Sequence, residues 1–106
     1  MKKGLSVIIC CHNSERRLPE TIRHLGAQKI SGKIPWEIIV VDNNSTDKTV
    51  AVAESLWKEI RKSNINLRIV TQKTPGLIFA RHKGVKAAKY EYVLFCDDDN
   101  WLANNY

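Results

Sequence analysis

Four short apolar segments recur along the chain, and more polar segments separate them. Each apolar segment is rich in β-branched or aromatic residues, and two of them are almost continuously apolar. Continuous apolar runs are typical of strands in a parallel sheet that is covered on both faces. The predicted strands are Leu5 to Cys10, Trp36 to Val41, Leu67 to Thr71 and Tyr92 to Cys96.

The segments between these strands have apolar residues at helical spacing, which predicts three helices. Pro19 falls in the opening turn of the first helix, where proline is tolerated. Ser45 or Thr46 can cap the second helix. The third carries a face of small residues for close packing. The predicted helices run from Leu18 to Ala27, from Asp47 to Lys62 and from Gly76 to Lys89.

The alternation β-α-β-α-β-α-β predicts an α/β fold with a Rossmann-like parallel sheet. We expect right-handed crossovers, helices on both faces and the strand order 3-2-1-4. The length of 106 residues suits one domain with a modest core. Ligands of such sheets bind at the carboxyl ends of the strands. The turns that follow the strands are therefore the expected location of a functional site.

Three consecutive aspartates, Asp97, Asp98 and Asp99, follow the last predicted strand. Adjacent carboxylates repel one another and lose hydration near a core, so folding alone gains little from such a cluster. Carboxylate oxygens are ligands that Mg²⁺ and Mn²⁺ prefer, which favours a metal site. The alternative is a solvated acidic loop that caps the next helix, because aspartate is a good N-cap. The triplet alone leaves both interpretations open.

Four other side chains are candidates near the strand ends. Cys11 and His12 follow the first strand, and Asp42 ends the second. Arg81, one turn inside the third helix, is predicted to lean toward the packed side and to meet a carboxylate or a ligand. The alternatives are a turn aspartate, a loop histidine and a surface arginine. No glycine-rich dinucleotide loop or P-loop occurs, so a bound diphosphate would need a metal to neutralise its charge.

The three cysteines do not form a disulfide framework, and their odd number fits a reducing, cytoplasmic setting. A zinc site of Cys10, Cys11, Cys96 and His12 is the metal-binding alternative. Adjacent cysteines on a strand point to opposite faces, however, which spoils a tetrahedral ligand set. We therefore predict that the thiols are small core residues.

The composition is that of an ordinary soluble globular domain, with 43% hydrophobic and 26% charged residues. We expect neither a membrane span nor a signal peptide. The net charge of +6 favours anionic partners. Because the basic residues are dispersed rather than clustered, a nucleic-acid partner is not expected, whereas peripheral contact with an anionic membrane stays open.

Several motifs, spread over nearly the whole chain, occur in a recognisable order. They are Leu5-Ser6-Val7-Ile8-Ile9 with Asn13, Glu37-Ile38-Ile39-Val40-Val41-Asp42-Asn43-Asn44-Ser45-Thr46-Asp47, Gly76 with Ala80-Arg81 and Gly84, and Phe95-Cys96-Asp97-Asp98-Asp99. Together they resemble the family 2 glycosyltransferases of the GT-A fold, and the last is similar to that family's D-x-D motif. The chain departs from the family pattern at Cys10-Cys11-His12, where Pro-Thr-Tyr is common, and at His82, Tyr90 and Asn100.

This resemblance implies an inverting glycosyltransferase that uses a nucleotide-diphosphate sugar donor, Mn²⁺ or Mg²⁺, and a sugar or lipid-linked acceptor. It implies that Asp97 and Asp99 hold the metal, with Asp99 as the direct ligand, and that Asp97 and Asp98 lie against the donor. The other donor-binding residues that it implies are Cys11, His12, Asp42 and Arg81.

Members of that family continue well beyond the D-x-D motif. We therefore interpret residues 1–106 as a single donor-binding domain, incomplete at its C-terminus, with the acceptor base beyond Tyr106. The isolated chain is expected to bind the donor without transferring the sugar. Exposed sheet edges would favour self-association into a homo-oligomer. The alternative function is a non-catalytic nucleotide-binding or interaction module.

Overall fold

Strands and helices alternate along the chain in the predicted order. A computed structural model of the protein describes residues 2–27, 34–60 and 65–97. The strands are β1 (Lys2–Cys11), β2 (Trp36–Asp42), β3 (Asn66–Thr71) and β4 (Tyr90–Asp97), and the helices are α1 (Leu18–Gly26), α2 (Thr49–Ile60) and α3 (Leu77–Ala87).

All four strands are parallel and lie in the order β3-β2-β1-β4, which confirms the predicted topology. Helices α1 and α2 pack on one face of the sheet, and α3 packs on the other. The chain steps in one direction from β1 to β3 and then reverses to reach β4. Because the helix face changes where the direction reverses, all three crossovers have the same hand.

The larger core layer lies between the sheet and the helices α1 and α2. Ile22 and Leu25 of α1 are buried there against Ile38 of β2, together with Ala53 and Trp57 of α2. These side chains sit at helical spacing on their helices, so the core face of each helix is the one that the apolar pattern predicts.

The opposite layer is thinner, because α3 faces the sheet with small residues. The sequence places Leu77, Ala80 and Gly84 on the predicted face of small residues. Ala80 and Gly84 are buried there, whereas Leu77 is 51% exposed and does not belong to that face. A Cβ atom on Gly84 would lie 2.5 Å from Cγ2 of Ile8 in β1. The absence of a side chain at Gly84 is therefore what lets α3 approach the sheet so closely.

The start of α2 differs from the prediction. The helix begins at Thr49, and the carboxylate of Asp47 accepts hydrogen bonds from the Thr49 N–H, at 2.9 Å, and from the Thr49 hydroxyl. Asp47, rather than Ser45 or Thr46, thus accepts the hydrogen bonds that the first turn of α2 donates. The predicted end of α2 at Lys62 lies outside the described residues.

A buried carboxylate ties the amino ends of the strands together. Glu37 of β2 is 1% exposed and accepts hydrogen bonds from the Ser6 hydroxyl and the Lys89 N–H, both at 2.8 Å. Arg68 of β3 donates to it from Nε at 3.1 Å and from Nη2 at 3.0 Å. Burial raises the pKa of the Glu37 carboxyl, but these donors outweigh that effect and hold the pKa below its ordinary value. No sequence motif indicates this network, which lies at the end of the sheet away from the predicted site.

No helix in the described part of the chain is long and apolar enough to cross a membrane.

Candidate functional site at the carboxyl edge of the sheet

The carboxyl ends of the strands are level with one another. Cys11 of β1 lies opposite Asp42 of β2, and Asp42 lies opposite Thr71 of β3. On the other side of β1, Cys10 lies opposite Asp97, the last residue of β4. The turns 12–17, 43–48 and 72–76 and the end of β4 therefore meet along one line. We call this region the carboxyl edge.

The first two of these turns are held together by side chains. The Asn13 N–H donates to Oγ of Ser45 at 3.0 Å, and the Thr46 N–H donates to Oδ1 of Asn13 at 2.8 Å. Asn13 and Asn44 have φ angles of 49° and 59°, a left-handed conformation that asparagine tolerates better than most residues. The asparagines in these turns thus supply both the backbone shape and the cross-links.

A second set of hydrogen bonds joins the turn after β1 to the start of α2. The Ser14 N–H donates to Oγ1 of Thr49 at 2.8 Å, and the Glu15 N–H donates to Oδ2 of Asp47 at 3.3 Å. The Thr49 hydroxyl is the main reason why the pKa of the Asp47 carboxyl lies below its ordinary value, and the N–H groups of Thr49 and Glu15 add to this effect. The ionised carboxylate is therefore the form that this junction stabilises.

Asp42 occupies the carboxyl end of β2, as predicted, and is 8% exposed. Its Oδ1 atom accepts a hydrogen bond from the Ser45 N–H at 3.3 Å. This contact is the turn role that the sequence offered as the alternative. The predicted contact of Asp42 with a base or ribose stays a prediction.

His12 is exposed on the turn after β1, and its ring is held in place. Nδ1 lies 2.7 Å from the carbonyl oxygen of Asn43, so Nδ1 carries the proton that this carbonyl accepts. In the neutral ring Nε2 is then an acceptor, and Nδ2 of Asn13 lies 3.4 Å from it. The side chain of the preceding residue, Cys11, is 1% exposed and faces the larger core. Only the main chain of Cys11 is left for its predicted contact with a ligand.

Asn43 is a residue of this region that sequence reasoning missed. It is 7% exposed, and its Nδ2 atom donates to the carbonyl oxygens of Gln72, at 2.9 Å, and Thr74, at 2.8 Å. Its Oδ1 atom accepts the Gly76 N–H at 3.0 Å. One sequence signal could have identified Asn43: it is an amide residue that directly follows a buried strand. It also lies at the edge of the sheet where the turn after β3 was expected.

Arg81 is not buried in the packed face of α3, although its side chain leans over the sheet as predicted. The side chain is exposed, and its guanidinium carbon lies 5.5 Å from the centre of the Phe95 ring on β4, a cation–π arrangement. Among the described residues Arg81 makes no ion pair with Asp42. It lies instead over β4, close to where the aspartate triplet begins.

The aspartate triplet itself is described only in part. The main chain of Asp97 ends β4 opposite Cys10, which places the start of the triplet at the carboxyl edge. The Asp97 side chain, Asp98 and Asp99 lie outside the described residues, so the metal site that they were predicted to form stays a prediction. Elsewhere in the described ranges, no three His, Cys, Asp or Glu side chains are grouped to hold a metal ion.

The cysteines occupy the positions that strand geometry predicts. Cys11 and Cys96 lie in the larger core layer, and Cys10 packs on the opposite face with α3. Adjacent cysteines thus point to opposite faces of β1, which was the reason for preferring core thiols to a zinc site.

A family model decides the relationship of this chain to known proteins. The model described as glycosyl transferase family 2 matches residues 6–106. The chain belongs to glycosyl transferase family 2. Among its relatives is the cholesterol galactosyltransferase of Borreliella burgdorferi, which is 36% identical over 99 residues. This match covers 93% of the chain and 26% of the relative.

Another relative is the poly(ribitol-phosphate) beta-N-acetylglucosaminyltransferase TarS of Staphylococcus aureus, 33% identical over 97 residues. The match covers 92% of this chain and 16% of TarS. The chain therefore spans about a quarter or less of the length of these two relatives.

Solved structures confirm the GT-A fold. The crystal structure of TarS residues 1–349 superposes with a TM-score of 0.81 at 30% identity and covers 95% of this chain and 29% of that one. The same enzyme has been solved with UDP-GlcNAc, with a TM-score of 0.78. The mannosyltransferase PcManGT of Pyrobaculum calidifontis, in complex with GDP-Man and Mn²⁺, superposes with a TM-score of 0.84 at 23% identity and covers 98% of this chain and 30% of its own. This last likeness shows the fold alone.

Proposed function

We propose that this domain binds a nucleotide-diphosphate sugar at the carboxyl edge, through a divalent cation on the D-x-D aspartates. It would form the donor-binding half of an inverting glycosyltransferase. The observation that carries the proposal is the arrangement of the turns after β1 and β2. Hydrogen bonds of their side chains hold these two turns together. The aspartate triplet begins at the end of β4, the strand next to β1. The complex of TarS with UDP-GlcNAc supports the nucleotide-sugar part of this assignment.

The nucleoside would lie against the first two turns. Within the described part of the chain only Oδ1 of Asp42 accepts a hydrogen bond, so Oδ2 can accept one from the base or the ribose. The ring of His12 is oriented by the Asn43 carbonyl and stands exposed at the rim, where it can stack on a base or bond to it. The main chain of Cys11 would complete this wall.

The diphosphate would lie toward β4. Asp97 and Asp99 would hold Mn²⁺ or Mg²⁺, with Asp98 beside the donor, and carboxylate oxygens are chemically suited to either ion. When bound, the cation supplies positive charge to the departing diphosphate. The exposed guanidinium of Arg81, stacked over Phe95, would add a second positive charge on the nucleotide side.

For the whole protein we propose transfer to a sugar or lipid-linked acceptor in the cytoplasm, with peripheral contact to a membrane and self-association through sheet edges. The relatives that it matches are about four times longer or more, so we place the acceptor base outside residues 1–106.

The metal requirement is tested by calorimetry with a panel of nucleoside diphosphates, in Mn²⁺ and in EDTA. We expect binding in Mn²⁺ that is lost in EDTA. The Asp99→Asn variant should bind about tenfold or more weakly in Mn²⁺, because a metal ligand is removed. Glu91→Gln removes an equal charge from an exposed position at the amino end of β4 and should bind as the wild type does.

Affinity that survives both EDTA and Asp99→Asn would contradict the proposed metal site. It would favour a non-catalytic nucleotide-binding module instead.

A further inference from the structure

We infer that Asn43 is a positioning residue for the donor: its side chain fixes the turn before α3 against the two turns that would hold the nucleoside. This inference rests on the proposed function of the carboxyl edge. It assigns part of the donor affinity to a buried residue that need not touch the donor.

The hydrogen bonds of the Asn43 side chain specify an amide. Both of its described donor contacts run to carbonyl oxygens, those of Gln72 and Thr74, and its oxygen accepts the Gly76 N–H. A carboxylate of the same shape has no donor and would face two carbonyl oxygens. An alanine would leave these main-chain groups without their side-chain partner. Asparagine is thus the residue whose shape and chemistry both fit.

The contact with Gly76 fixes the place where α3 begins. Gly76 precedes the helix with a φ of 129°, a conformation that side chains rarely adopt, and no side chain caps α3 from within its own turn. Asn43 supplies the hydrogen bond to the Gly76 N–H from the neighbouring strand end. The direction of α3, and with it the position of Arg81 over Phe95, therefore depends on a residue of the second turn.

The main chain of Asn43 reaches the opposite wall. Its N–H donates to the Cys11 carbonyl oxygen at 2.7 Å, and its own carbonyl accepts Nδ1 of His12 at 2.7 Å. One residue thus touches the turns after β1, β2 and β3. Removing its side chain would break its hydrogen bonds to Gln72, Thr74 and Gly76 of the third turn and leave the β1–β2 junction intact.

The experiment compares Asn43→Ala and the milder Asn43→Ser with the wild type in the full-length natural protein. Affinity for UDP and GDP is measured by calorimetry in Mn²⁺, folding by circular dichroism, and the Gly76 amide by hydrogen exchange. We expect Asn43→Ala to bind the preferred nucleotide about tenfold more weakly and to lose protection at Gly76. Asn43→Ser, whose hydroxyl can keep one hydrogen bond, should lie between Asn43→Ala and the wild type.

Ser6→Ala is the control for general loss of stability. It removes a buried hydroxyl at the amino end of the sheet, so the melting temperature should fall while nucleotide affinity stays within about twofold of the wild type. If Asn43→Ala does not fold, Asn43→Ser decides the matter.

Different experimental results would overturn the positioning role of Asn43 and the proposed function. Wild-type binding that both Asn43 variants retain would overturn the positioning role alone. Equal losses of affinity in Ser6→Ala and the Asn43 variants would also overturn it, because stability would then explain the effect. A wild type that binds no nucleoside diphosphate would overturn the proposed function, and the positioning role with it.

Discussion

At the scale of single residues, Glu37 shows how a buried charge can be held in this fold. Its carboxylate accepts hydrogen bonds from Ser6, Lys89 and Arg68, and the Arg68 side chain keeps 31% of its surface exposed. Water therefore partly screens the ion pair between Arg68 and Glu37. The Ser6 hydroxyl and the Lys89 N–H, which are neutral donors, contribute to the stabilisation of the carboxylate as well. Arg68 also donates to the Ala87 carbonyl at 2.5 Å, which links β3 to the last residue of α3.

We predict that Glu37→Gln destabilises the domain by about 2 kcal/mol at neutral pH. The substitution removes the buried charge and replaces one acceptor oxygen with an NH2 group, a donor that would face other donors. Urea unfolding measures this change, and Glu91→Gln, at an exposed position, should change little. The pKa of Glu37 is lower in the folded protein than in the unfolded chain. Its stabilisation is therefore present above the ordinary carboxyl pKa and is lost as the pH falls through the folded pKa.

The Glu37→Gln variant should lose this component of the acid sensitivity. Equal unfolding free energies for variant and wild type at neutral pH would show that the network contributes nothing.

The sequence predicted where the residues of the candidate site lie better than it predicted the contacts between them. Asp42 and His12 could be placed at the carboxyl edge because both follow apolar runs along the chain. The partners of Asn43 and Glu37 could not be predicted, because they lie some 30 or more residues away and depend on the strand register. The exposed position of Arg81 could not be predicted, because it depends on the contact of the guanidinium with Phe95 of β4.

At the scale of elements, α3 is positioned by its small residues rather than by a large apolar face. Leu77, Ile78 and Phe79 in its first turn are 51%, 75% and 47% exposed, so they contribute little to the core. The helix is instead fixed at its start by Asn43 and in its middle by the close approach at Gly84.

We predict that Gly84→Ala destabilises the protein by about 2 kcal/mol, although alanine is the better helix former. The new methyl group would lie 2.5 Å from Cγ2 of Ile8 and 3.2 Å from Cγ2 of Val41, both in the core, so α3 would have to move outward. Chemical unfolding measures the change, and Lys86→Ala on the exposed side of α3 is the control. A Gly84→Ala variant that is as stable as the wild type would contradict this account.

The order and type of the elements were predictable because both follow from local patterns, namely apolar runs and helical spacing. The start of α2 was not, since it is set by contacts between turns. Asp47 meets both Thr49 and the Glu15 N–H of the turn after β1.

At the scale of the whole molecule, we predict that residues 1–106 alone bind a nucleoside diphosphate in Mn²⁺ but transfer no sugar. The expected reason is that the acceptor base lies elsewhere in the protein. Product formation from a labelled donor measures transfer, and calorimetry on the same sample shows that the chain is folded and binds. Transfer to any sugar acceptor by these residues would contradict the prediction.

The strand order has a consequence for the time at which the carboxyl edge is completed. The central strand β1 is made before the other described elements, and its neighbour β4 is made after them. The two strands pair along their length, for example at Ile9 and Cys96. Pairing over so long a stretch of chain is slow compared with the formation of local contacts. During synthesis the β1 edge would therefore stay unpaired until β4 leaves the ribosome. The carboxyl end of β4 would therefore join the carboxyl edge after the turns that follow β1, β2 and β3.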